Sequence, residues 1–216
     1  MDSKSLNDLQ TTYNRVASEY ARRIYDELKD KPLDRQLLED LAKRLAGRGT
    51  ICDIGCGPGQ VARYLRDLGA EVIGIDLSPG KVEQVRQLNP DIQFRQGNML
   101  ALDVPDEAWA GIAAFYSIIH IPRVEVVSAL LELKRTLQPG GLLLLAFHIG
   151  DEVVHLDEWW SEPVCADFVF FEQEEMSDNL IKAGFKILET AIRPPYPEVE
   201  HQSQRAYVLA QNPDSV

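Results

Sequence analysis

The sequence predicts an α/β fold: a seven-stranded, mostly parallel sheet with an antiparallel last strand, helices on both faces and an N-terminal helical cap. Two observations carry this. From residue 48 onward, short apolar runs alternate with helical patterns, the succession that builds parallel βαβ units. The last two runs, 185–191 and 205–211, have only a proline-rich turn between them, so they are expected to pair antiparallel.

Residues 5–29 read as one helix, with Leu9, Tyr13, Val16, Ala17, Tyr20, Ile24 and Leu28 on a single stripe. Lys31-Pro32 interrupts it, and Pro32 suits the first turn of a second helix reaching about Ala46. Gly47-Arg48-Gly49 ends that helix and releases the first strand, 50–54. The chain then breaks into a glycine turn, Gly55-Cys56-Gly57-Pro58-Gly59, before Val61, Tyr64, Leu65 and Leu68 resume at helical spacing. A second strand, 71–76, leads into a helix through Leu88 opened by Ser78-Pro79, with Ser78 as N-cap. Residues 92–96 form a short third strand. The fourth, 110–116, is nearly all apolar, as a strand covered on both faces should be. A helix over 123–137 is expected to face inward with Val124, Val127, Leu130, Leu131 and Leu137. The turn Gln138-Pro139-Gly140-Gly141 precedes the fifth strand, 142–147, and a helix over 176–183 stops at Gly184. All of this is expected to form one domain over 1–216: a cap at 1–47, a core at 48–211 and an insert at 149–175.

Composition bounds the function. At 216 residues and 45% hydrophobic, the chain can bury one good core. Its formal charge of −12 repels phosphate backbones and anionic lipid, so neither nucleic acid nor membrane is an expected partner. The N-terminal residues Met1-Asp2-Ser3-Lys4 are polar, and no run approaches the ~18 apolar residues of a span. Three cysteines, Cys52, Cys56 and Cys165, are an odd number that suits a reducing compartment; a cytoplasmic setting is expected. Their spacing offers no metal-ligand pattern, and no metal is expected.

In an open parallel sheet, ligands bind beyond the carboxyl ends of the strands, where the winding reverses. Those ends present Asp53 and the glycine turn; Asp76, 21 residues after Gly55; Gly97-Asn98-Met99; Tyr116-Ser117; and His148. An acid at the distance of Asp76 suits a ribose hydroxyl pair, and Asn98 can pair with a base edge. Asp53 is either a ligand contact or a buried turn-former that takes backbone N–H bonds.

These residues resemble a class I S-adenosylmethionine-dependent methyltransferase of the small-molecule branch that serves ubiquinone and menaquinone biosynthesis. The likeness rests on Asp53-x-Gly55-x-Gly57-x-Gly59, Asp76-Leu77-Ser78, Gly97-Asn98-Met99 and Leu137-x-Pro139-Gly140-Gly141, within a Rossmann-like core. The opening Tyr13-Asn14-Arg15-Val16-Ala17-x-x-Tyr20 resembles that branch's capping helix. In Ile118-Ile119-His120-Ile121-Pro122 a histidine precedes a proline, as often happens there. Asn98 departs from the family's frequent Asp. By resemblance, S-adenosylmethionine is the cofactor. Gly55, Cys56 and Gly57 approach its methionine portion, Asp76 with Leu77 and Ser78 holds the ribose, Gly97, Asn98 and Met99 frame the adenine, and Tyr116 with Ser117 meets the methionine end.

Methyl transfer from a sulfonium is an in-line displacement on an already activated donor, so alignment and exclusion of water matter most. A base is needed only where the acceptor loses a proton. His120 and His148 are candidates for it, each standing equally as a rim histidine. His148, His155, Trp159, Trp160 and His201 are candidates for the acceptor side. The aromatic-rich insert reads either as a lid over an apolar acceptor or as packing on the sheet rim. Tyr13 and Tyr20 are core residues or a cover for the sulfonium, whose charge suits aromatic faces. The expected partner is a small-molecule acceptor, met by a monomer or homodimer. A nicotinamide-dependent oxidoreductase would also use the glycine turn and Asp76, but Gly-x-Gly-x-Gly and the final hairpin count against it. A catalytically silent cofactor-binding partner subunit is the third reading.

Overall fold

The computed structural model describes residues 1–214. In chain order it comprises α1 (Ser3–Ile24), α2 (Pro32–Arg44), β1 (Ile51–Ile54), α3 (Gln60–Asp67), β2 (Val72–Asp76), α4 (Pro79–Leu88), β3 (Gln93–Gln96) and β4 (Trp109–Phe115). Then come α5 (Val126–Thr136), β5 (Leu137–His148), β6 (Val153–Trp159), β7 (Glu162–Val169), α6 (Gln173–Lys182), β8 (Lys186–Arg193) and β9 (Arg205–Gln211). The main sheet has the order β3-β2-β1-β4-β5-β9-β8, and β9 runs antiparallel to both of its neighbours. The expected architecture is therefore present. Winding reverses between β1 and β4, which pair in parallel with Ile51 opposite Gly111, and a crevice opens beyond their carboxyl ends.

The strand sequences explain the layers. In β5, Leu142 and Leu144 pack with Leu38, Leu41 and Leu65 of α2 and α3, while Leu143, Leu145 and Phe147 pack with Leu130, Leu133 and Met176 of α5 and α6. Successive residues thus reach opposite faces, and both faces are covered, so the run is apolar throughout. No helix among the described residues is long and apolar enough to cross a membrane.

Three expectations are corrected. The first helix stops at Ile24, and Leu28 is buried from a separate 3₁₀ turn, Glu27–Asp30. Strand β5 begins at Leu137, so Pro139-Gly140-Gly141 is an irregularity inside it, matched by a register shift between Trp109 and Gly111. Helix α5 buries Val126, Ala129, Leu130 and Leu133, while Val124 and Leu131 are exposed. A 3₁₀ turn at Arg123–Glu125 precedes the α-helix, so Val124 and Leu131 of the expected stripe fall on the outer face while Leu130 stays inside. The insert, for which no secondary structure is expected from the sequence, is a two-stranded hairpin, β6 and β7, separate from the main sheet.

That hairpin docks on α1. Buried Thr12 donates from Oγ1 to the Cys165 carbonyl (3.1 Å) and accepts the Cys165 N–H (2.9 Å), and Arg15 donates to the Pro163 carbonyl. Across the crevice, Asn14 Oδ1 accepts from Ser78 Oγ (2.7 Å) and the Gly80 N–H (2.9 Å). The cap is thereby tied to the core on one side and to the hairpin on the other.

Buried charges bind α2 to the end of the sheet. Arg193 reaches Asp34 (3.0 Å) and pairs with Glu200, which also meets Lys31 (3.3 Å) and Arg205 (3.0 Å). Burial alone would raise the Glu200 carboxyl, but Arg193, the Tyr196 N–H and the other cations outweigh it and hold Glu200 down at about 2. Removing one partner strands the others without compensation in a dry site. Arg193→Met is expected to cost about 3–5 kcal/mol of unfolding free energy, measured by urea denaturation.

Candidate functional site

The glycine turn shapes the floor of the crevice. Gly55 adopts φ +72°, and a Cβ there would stand 2.3 Å from the Ser117 Cβ, so the turn can rest on the end of β4 only without a side chain. Asp53 lies behind the turn. Its buried carboxylate accepts the Ala62 N–H (3.0 Å) in the first turn of α3, and burial lifts its pKa to about 7. It does not line the cleft; of its two readings, the structure shows the turn-former.

Asp76 does line it. One carboxylate oxygen accepts the Gly57 N–H (2.9 Å) and the other the Ser78 N–H (2.9 Å), leaving a further lone pair on each. Ser78 also caps α4 through the Lys81 N–H (3.1 Å), as expected. Leu77, Gly97, Asn98 and Met99 continue the wall. Asn98 Oδ1 accepts the Leu100 N–H (3.0 Å), so this amide offers a ligand chiefly its NH₂.

At the end of β4, Tyr116 holds a left-handed backbone at φ +53°, a conformation costly for a bulky residue and common at ligand sites. Its hydroxyl lies 2.9 Å from that of Tyr207, which donates to Asp34 Oδ2 (2.9 Å). Because Tyr207 has spent its proton on a carboxylate, Tyr116 is the donor between the two. Ser117 Oγ is buried on the cleft with no hydrogen-bond partner among the described residues.

The other wall is aromatic. Tyr13 meets Tyr20 and Trp159 edge-on, each at 5.8 Å between centroids, and Phe168 packs on His120 at 4.8 Å. His120 Nδ1 lies 3.0 Å from the Asp167 carbonyl, which can only accept, so Nδ1 carries the proton. Nε2 is then the acceptor for the Tyr13 hydroxyl at 2.6 Å. Burial lowers the His120 pKa to about 4, and the imidazole is neutral. His148, at the tip of β5, contacts Ser203 Oγ through Nδ1 (2.7 Å) and stacks on Phe170. Burial, with Arg205 and His201 nearby, pushes it down to about 3.

The cleft, of about 360 Å³, brings together Tyr13, Tyr20, Gly55, Cys56, Gly57, Asp76, Tyr116, Ser117, His120, His148, Trp159 and His201. His155 and Trp160 do not line it: His155 is exposed and pairs with Asp167 (2.7 Å), and Trp160 stacks behind Trp159. Sequence reasoning missed five charged side chains on the cleft: Glu27, Lys31, Lys81, Glu200 and Arg205. Only Lys81 carried a signal, standing three residues after the N-cap and so one turn from Asp76.

Comparison with known proteins points to a methyltransferase domain. A family described as a methyltransferase domain matches residues 51–141, the glycine turn through the start of β5. Over these residues the chain is similar to the S-adenosylmethionine-dependent methyltransferases, whose cofactor is S-adenosylmethionine. The chain is 28% identical over 151 residues to a malonyl-[acyl-carrier protein] O-methyltransferase of Enterobacter lignolyticus, covering 67% of the chain and 58% of that protein. It is 30% identical over 150 residues to the 2-methyl-6-phytyl-1,4-hydroquinone methyltransferase of Synechocystis, covering 62% and 46%. It therefore spans about half the length of these curated relatives. Among solved structures, a methyltransferase of Methanosarcina mazei superposes with a TM-score of 0.70 at 16% identity, over 77% of this chain and 93% of that one, a likeness of fold.

The cleft fits S-adenosylmethionine on local grounds: free lone pairs on Asp76, an orphan hydroxyl at Ser117 and a turn that excludes a Cβ at Gly55. Followed by NMR, the imidazoles are expected to stay neutral down to about pH 4 for His120 and about pH 3 for His148. The Tyr13 hydroxyl stabilises neutral His120, so Tyr13→Phe is expected to raise the His120 midpoint; an unmoved midpoint would contradict the hydrogen bond.

Proposed function

We propose that the chain transfers a methyl group from S-adenosylmethionine to a small, apolar or planar acceptor whose acceptor atom loses a proton in the reaction. The observation that carries this is the hydrogen-bonded Tyr13–His120 pair, which shares one cleft with Asp76. The names of the relatives, an O-methyltransferase and a hydroquinone methyltransferase, support acceptors of this kind. Cap, core and hairpin act as one unit here, since residues from all three line the cleft, and three free cysteines suit a cytoplasmic setting.

When bound, S-adenosylmethionine supplies an activated methyl group on a sulfonium. Asp76 accepts the ribose hydroxyls with its remaining lone pairs, gaining charge-assisted bonds. Asn98 and Met99 frame the adenine, and the turn at Gly55–Gly57 with Tyr116 and Ser117 seats the methionine portion. Trp159, Phe168, His148 and His201 exclude water and orient the acceptor. His120 takes the acceptor's proton at Nε2, through the Tyr13 hydroxyl. A pKa near 4 makes it a weak base, which suffices: an acceptor oxygen or nitrogen becomes strongly acidic as it gains the methyl group. The family match sets aside the nicotinamide-dependent reading.

Asp76→Ala is expected to weaken S-adenosylmethionine binding by about 2–3 kcal/mol in calorimetry; unchanged affinity would remove Asp76 from the ribose. With an acceptor found by panel screening, His120→Ala should lower kcat by about 10²–10⁴ with little effect on donor affinity. Donor binding without turnover on any acceptor would favour the silent partner subunit instead.

A further inference from the structure

Lys81 has no part in the assignments above, yet it stands in the middle of the cleft. It occupies the first turn of α4 and is only 7% exposed. Its Nζ lies 3.4 Å from the centre of the Tyr13 ring and 4.3 Å from that of Tyr20, with Asp76 Oδ2 at 4.0 Å. Among the described residues the ammonium makes no hydrogen bond; two aromatic faces and the Asp76 carboxylate stand around it, beside the glycine turn at Gly57. Burial lowers its pKa and Asp76 opposes this, so the ammonium is held by a counter-ion and ring quadrupoles in place of water.

We propose that Lys81 is an internal cation that competes for the Tyr13 and Tyr20 faces with the cofactor's sulfonium, and so sets the balance between charged methyl donor and neutral thioether product. This rests on the cleft being the seat of S-adenosylmethionine. Donor and product share adenosine, carboxylate and ammonium groups and differ by one methyl group and one positive charge. Every contact to the shared groups cancels in the ratio of the two affinities. The charge term does not cancel, and its sign is fixed: a cation already on the rings disfavours the donor relative to S-adenosylhomocysteine. The same repulsion is relieved as the sulfonium loses its charge, so Lys81 acts on the donor and not on the transfer product.

The test is titration calorimetry of the full chain with S-adenosylmethionine and with S-adenosylhomocysteine, in the absence of acceptor. For Lys81→Met, which keeps the length and removes the charge, the ratio of donor to product affinity is expected to rise about tenfold, the scale of a desolvated cation–π contact. Lys81→Arg retains the charge and should leave the ratio within about twofold of the wild type on the same argument. A ratio unchanged in Lys81→Met overturns the proposal, as does an equal rise in both variants, which would make shape the cause. Should Lys81→Met fail to fold by circular dichroism, Lys81→Gln removes the same charge and answers the same question. Wild-type protein that binds neither ligand would overturn the reading of the cleft itself, an outcome distinct from binding with an insensitive ratio.

Discussion

The turn after β1 can lie against the end of β4 only because residue 55 has no side chain, and the rest of the site depends on that contact. It brings the Gly57 N–H within reach of Asp76 and sets Ser117 under the turn. A parallel sheet whose winding reverses between two strands leaves a crevice wherever their loops part. Here the crevice is narrow at its floor because backbone meets backbone, and its polar groups are therefore fixed by main-chain bonds. The Asp76 carboxylate is gripped by two N–H groups from different segments, so its orientation does not rely on a ligand.

The roof is held differently. Helix α1 has no place in the main sheet, and its position comes from two sets of side-chain bonds: Asn14 to the turn that opens α4, and Thr12 to the β6–β7 hairpin. Thr12 is buried and uses its hydroxyl as both donor and acceptor, so it serves Cys165 as a neighbouring strand would. Tyr13, the next residue, is consequently delivered to His120, whose other nitrogen is fixed by the same β7 strand through Asp167. One hairpin thus orients both members of the pair. The aromatic residues of the insert belong to this support as much as to any lid, with Trp159 on the cleft and Trp160 behind it.

How far this was legible in the sequence depends on the range of the forces concerned. The succession of strands and helices, the glycine turn, the Ser78 cap and the acid at Asp76 follow from neighbours within a few residues, and the sequence shows them directly. The β6–β7 hairpin was missed for a definite reason: its two-residue turn is Trp160-Ser161, both with positive φ, where the usual signal is Asn-Gly or Asp-Gly. The phase of α5 was lost to a 3₁₀ turn that periodicity cannot register. Asp34, Arg193, Glu200 and Arg205 come together from distant parts of the chain, and nothing local distinguishes them from surface charges. Lys81 was hidden differently, since a lysine in the first turn of a helix ordinarily points to water.

The charge of the whole chain and the charge of the cleft tell different stories. The sequence carries a formal charge of −12. The charged side chains on the cleft are Glu27, Asp76 and Glu200 against Lys31, Lys81 and Arg205, three of each sign. Each acid has a basic partner on the same wall: Lys31 with Glu27 at 2.7 Å, Arg205 with Glu200 at 3.0 Å, Lys81 with Asp76 at 4.0 Å. The excess acid therefore lies outside the cleft, where it keeps molecules apart in solution and does not draw a cation to the site. Inside, the balance leaves little net field to attract a charged acceptor, and Val154, Leu156, Phe168 and Phe170 offer apolar surface. A neutral, apolar acceptor suits these walls. The one charged ligand proposed for these walls is a donor whose own positive charge would meet Lys81 on the same two rings.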